Sequence, residues 1–83
     1  MAHEKEYMIV VNGTEHPVPN QLVTYEQVVA LEYPRQPPSA TITYKVTFEK
    51  AESKPHQGTL APGGSVEVKK KGTLFDVVQA NRS

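Results

Sequence analysis

Three histidines, a run of lysines, a diglycine and a small, polar carboxyl terminus are the groups through which chemistry would have to pass in this chain. His3, His16 and His56 lack the spacing of metal ligands and have no cysteine or carboxylate cluster beside them, so no metal site is expected. The absence of cysteine removes disulfides, thiolate ligands and a thiol nucleophile together. No serine, histidine and acid constellation can be argued from residue order, so no catalytic residue and no cofactor is assigned and the chain is not read as an enzyme. Lys69-Lys70-Lys71 offers amines, but a charge run beside a turn glycine reads first as a solvated corner. Gly63-Gly64 resembles a processing point. Cutting there would remove Val66 to Val78 and much of any core, so it reads as a turn. What remains is the end of the chain, Ala80, Asn81, Arg82 and Ser83, residues with almost nothing to bury, which read as a free carboxyl tail over 80–83.

The elements that must hold such a tail follow from periodicity. Residues 1–6 are charged and read as a disordered lead-in. Tyr7 to Val11 is an apolar run too short for a helix and is stopped by Asn12-Gly13, the signature of a type I′ hairpin turn. It reads as an inner strand. Thr14 to Val18 returns beside it, and Pro17 and Pro19 place that return at a sheet edge. Val23 to Glu32 carries a helix start, with Thr24 as cap, Gln27 closing the capping box and Val23 stapling onto Val28. Tyr25, Val28 and Leu31 share its apolar face, and Pro34 ends it. After a proline-rich connector, Ala40 to Lys50 alternates strictly, with Ile42, Tyr44, Val46 and Phe48 facing in and Thr43, Lys45, Thr47 and Glu49 facing out. Residues 51–64 read as a loop with Leu60 as a solitary core plug. A short strand at Ser65 to Lys69 and a last one at Gly72 to Val78 complete the chain, the latter with Phe75 and Val77 inward.

Eighty-three residues make one domain, because a chain of this size buries only roughly 60% of its unfolded surface. Nine basic and nine acidic residues leave no net charge to draw it to nucleic acid or to an anionic membrane. The amino terminus lacks the apolar segment of a signal peptide, and no apolar run approaches the ~18 residues of a membrane span. The expected location is the cytoplasm.

Strand, strand, helix, strand, strand, strand predicts an α+β fold of the β-grasp type, a five-stranded mixed sheet packed on one helix, over residues 7–79. First and last strands, both strongly apolar, are expected to pair in its middle. The succession Val10-Val11-Asn12-Gly13, Val23 to Leu31, Leu60-Ala61-Pro62-Gly63-Gly64-Ser65-Val66 and Gly72 to Val77 resembles the bacterial multiubiquitin-type, ubiquitin-like domains, over roughly residues 7–83. The resemblance implies a protein modifier of a bacterial ubiquitination-like pathway, its carboxyl end activated by an E1-like enzyme and passed through an E2-like enzyme to a target, with a JAB-type metalloprotease as a further partner. The alternative is a β-grasp interaction module that is never conjugated. Ubiquitin ends in two glycines and this chain ends in Arg82-Ser83, so the conjugated residue stays open. By the same resemblance the partner-binding surface is the outer sheet face, which here consists of Thr43, Lys45, Thr47, Asp76 and Val78, a more polar set than ubiquitin's.

Overall fold

The computed structural model describes residues 6–39 and 41–81. Strand β1 (Tyr7–Val11) turns at Asn12 and Gly13, both at positive φ (50° and 84°), into β2 (Thr14–Val18), with Val11 opposite Thr14. This is the type I′ geometry the Asn-Gly pair demands. A short strand β3 (Leu22–Thr24) leads into helix α1 (Tyr25–Glu32). Then follow β4 (Ile42–Glu49), β5 (Gly58–Leu60), β6 (Ser65–Glu67) and β7 (Lys71–Asn81). The main sheet has the order β2-β1-β7-β4-β5, in which β1 and β7 run parallel and the other neighbours antiparallel. This is the five-stranded mixed sheet on one helix of a ubiquitin-like β-grasp fold, with the first and last strands paired at its centre.

The core lies between the sheet and α1. Ile9 and Val11 of β1, Tyr44, Val46 and Phe48 of β4, and Phe75 and Val77 of β7 are buried on the inner face. The helix starts where Thr24, in extended conformation, accepts from the Gln27 amide at 3.1 Å. It turns Tyr25, Val28 and Val29 into the core, whereas Leu31, expected there, is only half-buried. Spacing of three and four residues from Tyr25 defines the stripe, and Leu31 falls at its margin. The edge position of β2 explains Pro17. Opposite Met8 it falls in a non-hydrogen-bonded pair of the hairpin ladder, where its missing N–H faces outward and costs no bond.

Three expectations need correction. The fifth strand of the main sheet is β5, inside the segment read as loop; Leu60 is buried as its last residue rather than as an isolated plug. Three residues are too few to show alternation, and the first of them, Gly58 opposite Phe48, has no side chain to contribute to a pattern. The strand at Ser65 belongs instead to a separate two-stranded ladder, Val66 opposite Val23 and Glu67 opposite Leu22. Gln21 prolongs that ladder, its carbonyl accepting from Val68 N at 2.9 Å and its side-chain amide donating to Val68 O at 3.3 Å. Finally, β7 does not stop at Val78. Ala80 pairs with Thr43 and Asn81 with Ile42, so these two residues are strand and not free tail. Residues 1–5, Ala40, Arg82 and Ser83 lie outside the described residues, and with them fall His3, most of the expected lead-in and the rest of the expected tail.

Candidate functional site: the last strand and the outer sheet face

Residues alternate across β7, and that alternation divides labour between anchoring and presentation. Thr73, Phe75 and Val77 are buried beneath the sheet, while Asp76, Val78 and Ala80 are exposed on its other side. Register with β4 then fixes their neighbours: Asp76 stands opposite Thr47, Val78 opposite Lys45, and Ala80 opposite Thr43. The five residues expected on a partner surface, Thr43, Lys45, Thr47, Asp76 and Val78, therefore sit together, four of them as two cross-strand pairs and Thr43 beside them opposite Ala80. A shallow cleft of about 450 Å³ opens along them, bounded by Asn12, Lys45, Thr47, Asp76, Val77 and Val78. Val78 is 59% exposed, one of two large apolar side chains so displayed among the described residues, and lies in the middle of this surface.

The end of β7 is held more firmly than its composition suggests. Besides the ladder, the Thr43 hydroxyl donates to Ala80 O at 2.9 Å. On the other side of the strand, Asn12 bonds both backbone groups of Val77, a contact that sequence reading missed because Asn-Gly was accounted for as a turn. The chain is thus led along the sheet as far as Asn81 before it leaves the described structure.

The diglycine is structural. Gly63 has φ +81°, and Gly64 N donates to Ala61 O at 2.8 Å, closing a turn with Pro62 at its first central position. That turn docks on the start of α1: Gly63 N donates to Glu26 Oε2 at 3.0 Å and Tyr25 N to Gly64 O at 3.1 Å. A Cβ at position 64 would stand 3.0 Å from the Ala61 carbonyl oxygen.

The tyrosines brace the fold. Tyr25 donates to the Tyr44 carbonyl at 3.1 Å, Tyr44 donates to the Gln36 carbonyl, and the rings of Tyr33 and Tyr44 lie 4.9 Å apart. Tyr44 so ties the proline-rich connector to β4. Burial, with Tyr33 and Tyr25 adding to it, raises its hydroxyl above the ordinary 10.0. Tyr7 at the other end lies under Lys70, whose Nζ is 4.8 Å from the ring centroid.

Among the described residues no group of three or more metal-ligating side chains converges. His16 is half-buried on β2, and His56 sits with Nδ1 2.9 Å from Ala51 O. Among the described residues, no helix is long and apolar enough to cross a membrane. Comparison with known families returns a match to the family described as multiubiquitin, over residues 7–80. No curated protein and no solved structure matches the chain.

Proposed function

The chain belongs to the multiubiquitin family, and from that premise we propose that it is a ubiquitin-like protein modifier, joined to targets through the carboxyl end beyond β7. The carboxylate attacks the α-phosphorus of ATP in an E1-like enzyme, forming the acyl adenylate and releasing pyrophosphate. An enzyme thiolate displaces AMP to give a thioester, which passes to the thiol of an E2-like enzyme. A target amine then displaces that thiol and leaves an amide. Every reacting group except the carboxylate belongs to the enzymes or the target, so the modifier itself supplies presentation and no catalysis. A JAB-type metalloprotease would trim the end or release the conjugate.

The observation that supports this reading is the family match over residues 7–80. A last strand running unbroken to Asn81 suits it, because it carries the chain along the whole length of β4. Incubation with ATP and the E1-like enzyme encoded nearest to it, followed by intact mass measurement, tests the assignment. A thioester is expected, and it should be lost when Arg82 and Ser83 are removed, a deletion that spares the ladder of β7. Unchanged activation of the shortened chain would sink the tail assignment.

The exposed Val78 and the cleft beside it favour a second reading, a non-conjugated module that docks through Thr43, Lys45, Thr47, Asp76 and Val78. Under that reading no adenylate forms, and Val78→Asp abolishes partner capture.

A further inference from the structure

Asn12-Gly13 is the one place in the chain where an asparagine precedes a glycine; Asn20 precedes Gln21 and Asn81 precedes Arg82. The pair carries chemistry of its own, because a glycine nitrogen has no Cβ beside it to block the approach of the asparagine side chain. Both residues are exposed, and a Cβ added to Gly13 would meet nothing within 4 Å, so water reaches the turn. What keeps the Asn12 side chain from its own backbone is the neighbouring strand. Its Oδ1 accepts from Val77 N and its Nδ2 donates to Val77 O, so both ends of the carboxamide are engaged by β7. Val77 is itself buried.

We infer that Asn12 is a site of spontaneous deamidation which its bonds to Val77 hold in check. Once the side chain is released, the nitrogen of Gly13, its proton given up to solvent, attacks Cγ of Asn12. The N–Cγ bond forms, the Cγ–Nδ2 bond breaks, and Nδ2 takes a proton from water and leaves as ammonia, closing a succinimide. Water then opens the ring at either carbonyl. Attack at Cγ breaks the new bond and leaves aspartate; attack at the main-chain carbonyl breaks the original peptide bond and leaves isoaspartate, with the chain running through Cβ and Cγ. In sum one water is consumed, and an amide becomes a carboxylate and ammonia.

Both products undo the clamp. Aspartate has no N–H to offer Val77 O. Isoaspartate adds a methylene to a two-residue turn closed by Val11 and Thr14, and the type I′ geometry is lost. The change is therefore one-way: a strand that has let go once is held less tightly afterwards. Its rate is set by how often the clamp opens, a local event and not a property of the turn sequence alone. The reaction needs no other protein, so it stands or falls independently of conjugation.

The test incubates the full chain in mildly alkaline buffer, folded and in unfolding urea, and follows it by intact mass, peptide mapping and enzymatic methylation of isoaspartate. The unfolded chain should exchange an amino for a hydroxyl group at Asn12 and accumulate isoaspartate there. The folded chain should react more slowly, on the order of tenfold or more, as two hydrogen bonds that must first break require. Phe75→Leu, beside the clamp on β7, and Leu60→Val, at the far edge of the sheet, vary its opening in chains whose spectra report that they are folded. Across wild type and both variants the folded-state rate at Asn12 should follow hydrogen exchange at the Val77 amide. Modification at Asn20 or Asn81 in place of Asn12, equal rates in the folded and unfolded chains, or a folded-state rate indifferent to Val77 exchange would each overturn the inference.

Discussion

Asn12 holds Val77 by both of its backbone groups: the side-chain Oδ1 accepts from Val77 N at 2.8 Å and Nδ2 donates to Val77 O at 3.1 Å, across 65 positions of sequence. Strand β1 ends at Val11, and Asn12 N donates to Phe75 O at 2.9 Å. The side-chain amide therefore takes the place of the next peptide unit of the parallel ladder. One residue makes the turn and extends the sheet.

Replacing Asn12 separates those roles. Asn12→Gly keeps a residue that accepts φ 50° and removes only the amide, so its cost, about 1–2 kcal/mol in chemical denaturation, is that of the clamp. Asn12→Asp keeps an acceptor for Val77 N but sets a carboxylate against Val77 O, and the loss should be larger. Hydrogen exchange at the Val77 amide reports both variants directly and should rise in each.

Position along β7 decides what a truncation costs. Phe75→Ala opens a cavity opposite Phe48, its aromatic neighbour at 6.4 Å between centroids, and should destabilise by about 3 kcal/mol or more. Val78→Ser alters an exposed outward residue and should change stability by less than about 0.5 kcal/mol. Thermal unfolding of the pair measures the contrast.

Alkaline pH should weaken the fold through Tyr44. Its hydroxyl is raised above 10.0 by burial and by the neighbouring tyrosines, so the unfolded chain gives up the proton first. The associated stability is whole below pH 10 and is lost as pH rises through the folded value. Deprotonation also turns the donor to Gln36 O into an anion facing a carbonyl. Denaturation midpoints measured between neutral pH and pH 12 should fall for the wild type, and Tyr44→Phe should flatten that fall.

Local signals carried the sequence reading a long way, and non-local ones limited it. Asn12-Gly13, the Thr24 cap and the alternation from Ile42 to Glu49 are all contained in a few consecutive residues, and each forms as expected. The central pairing of β1 with β7 followed from their apolar content. Gln79, Ala80 and Asn81 have little preference for strand, and only the ladder to Tyr44, Thr43 and Ile42 makes them one. The five outer-face residues were placed together by alternation in two strands, but their neighbour Asn12 came from a turn motif whose second role no pattern announces.

The junction at Thr73 allows a last prediction about how β7 is seated. This side chain is fully buried, and its hydroxyl donates to Lys50 O at 2.9 Å while accepting from Lys69 N at 2.9 Å. One hydroxyl thus fastens the start of β7 to the exit of β4, where Lys50 holds φ 61°, and to the chain leaving β6. Thr73→Val preserves shape and leaves both backbone groups without their partner, a loss of about 1–3 kcal/mol. Thr73→Ser keeps both bonds and sheds one methyl, about 1 kcal/mol. Valine should therefore be the more damaging replacement although it is the better strand former and the closer match in volume. Equal stability of the two variants in urea would mean that the methyl, and not the hydroxyl, seats the strand.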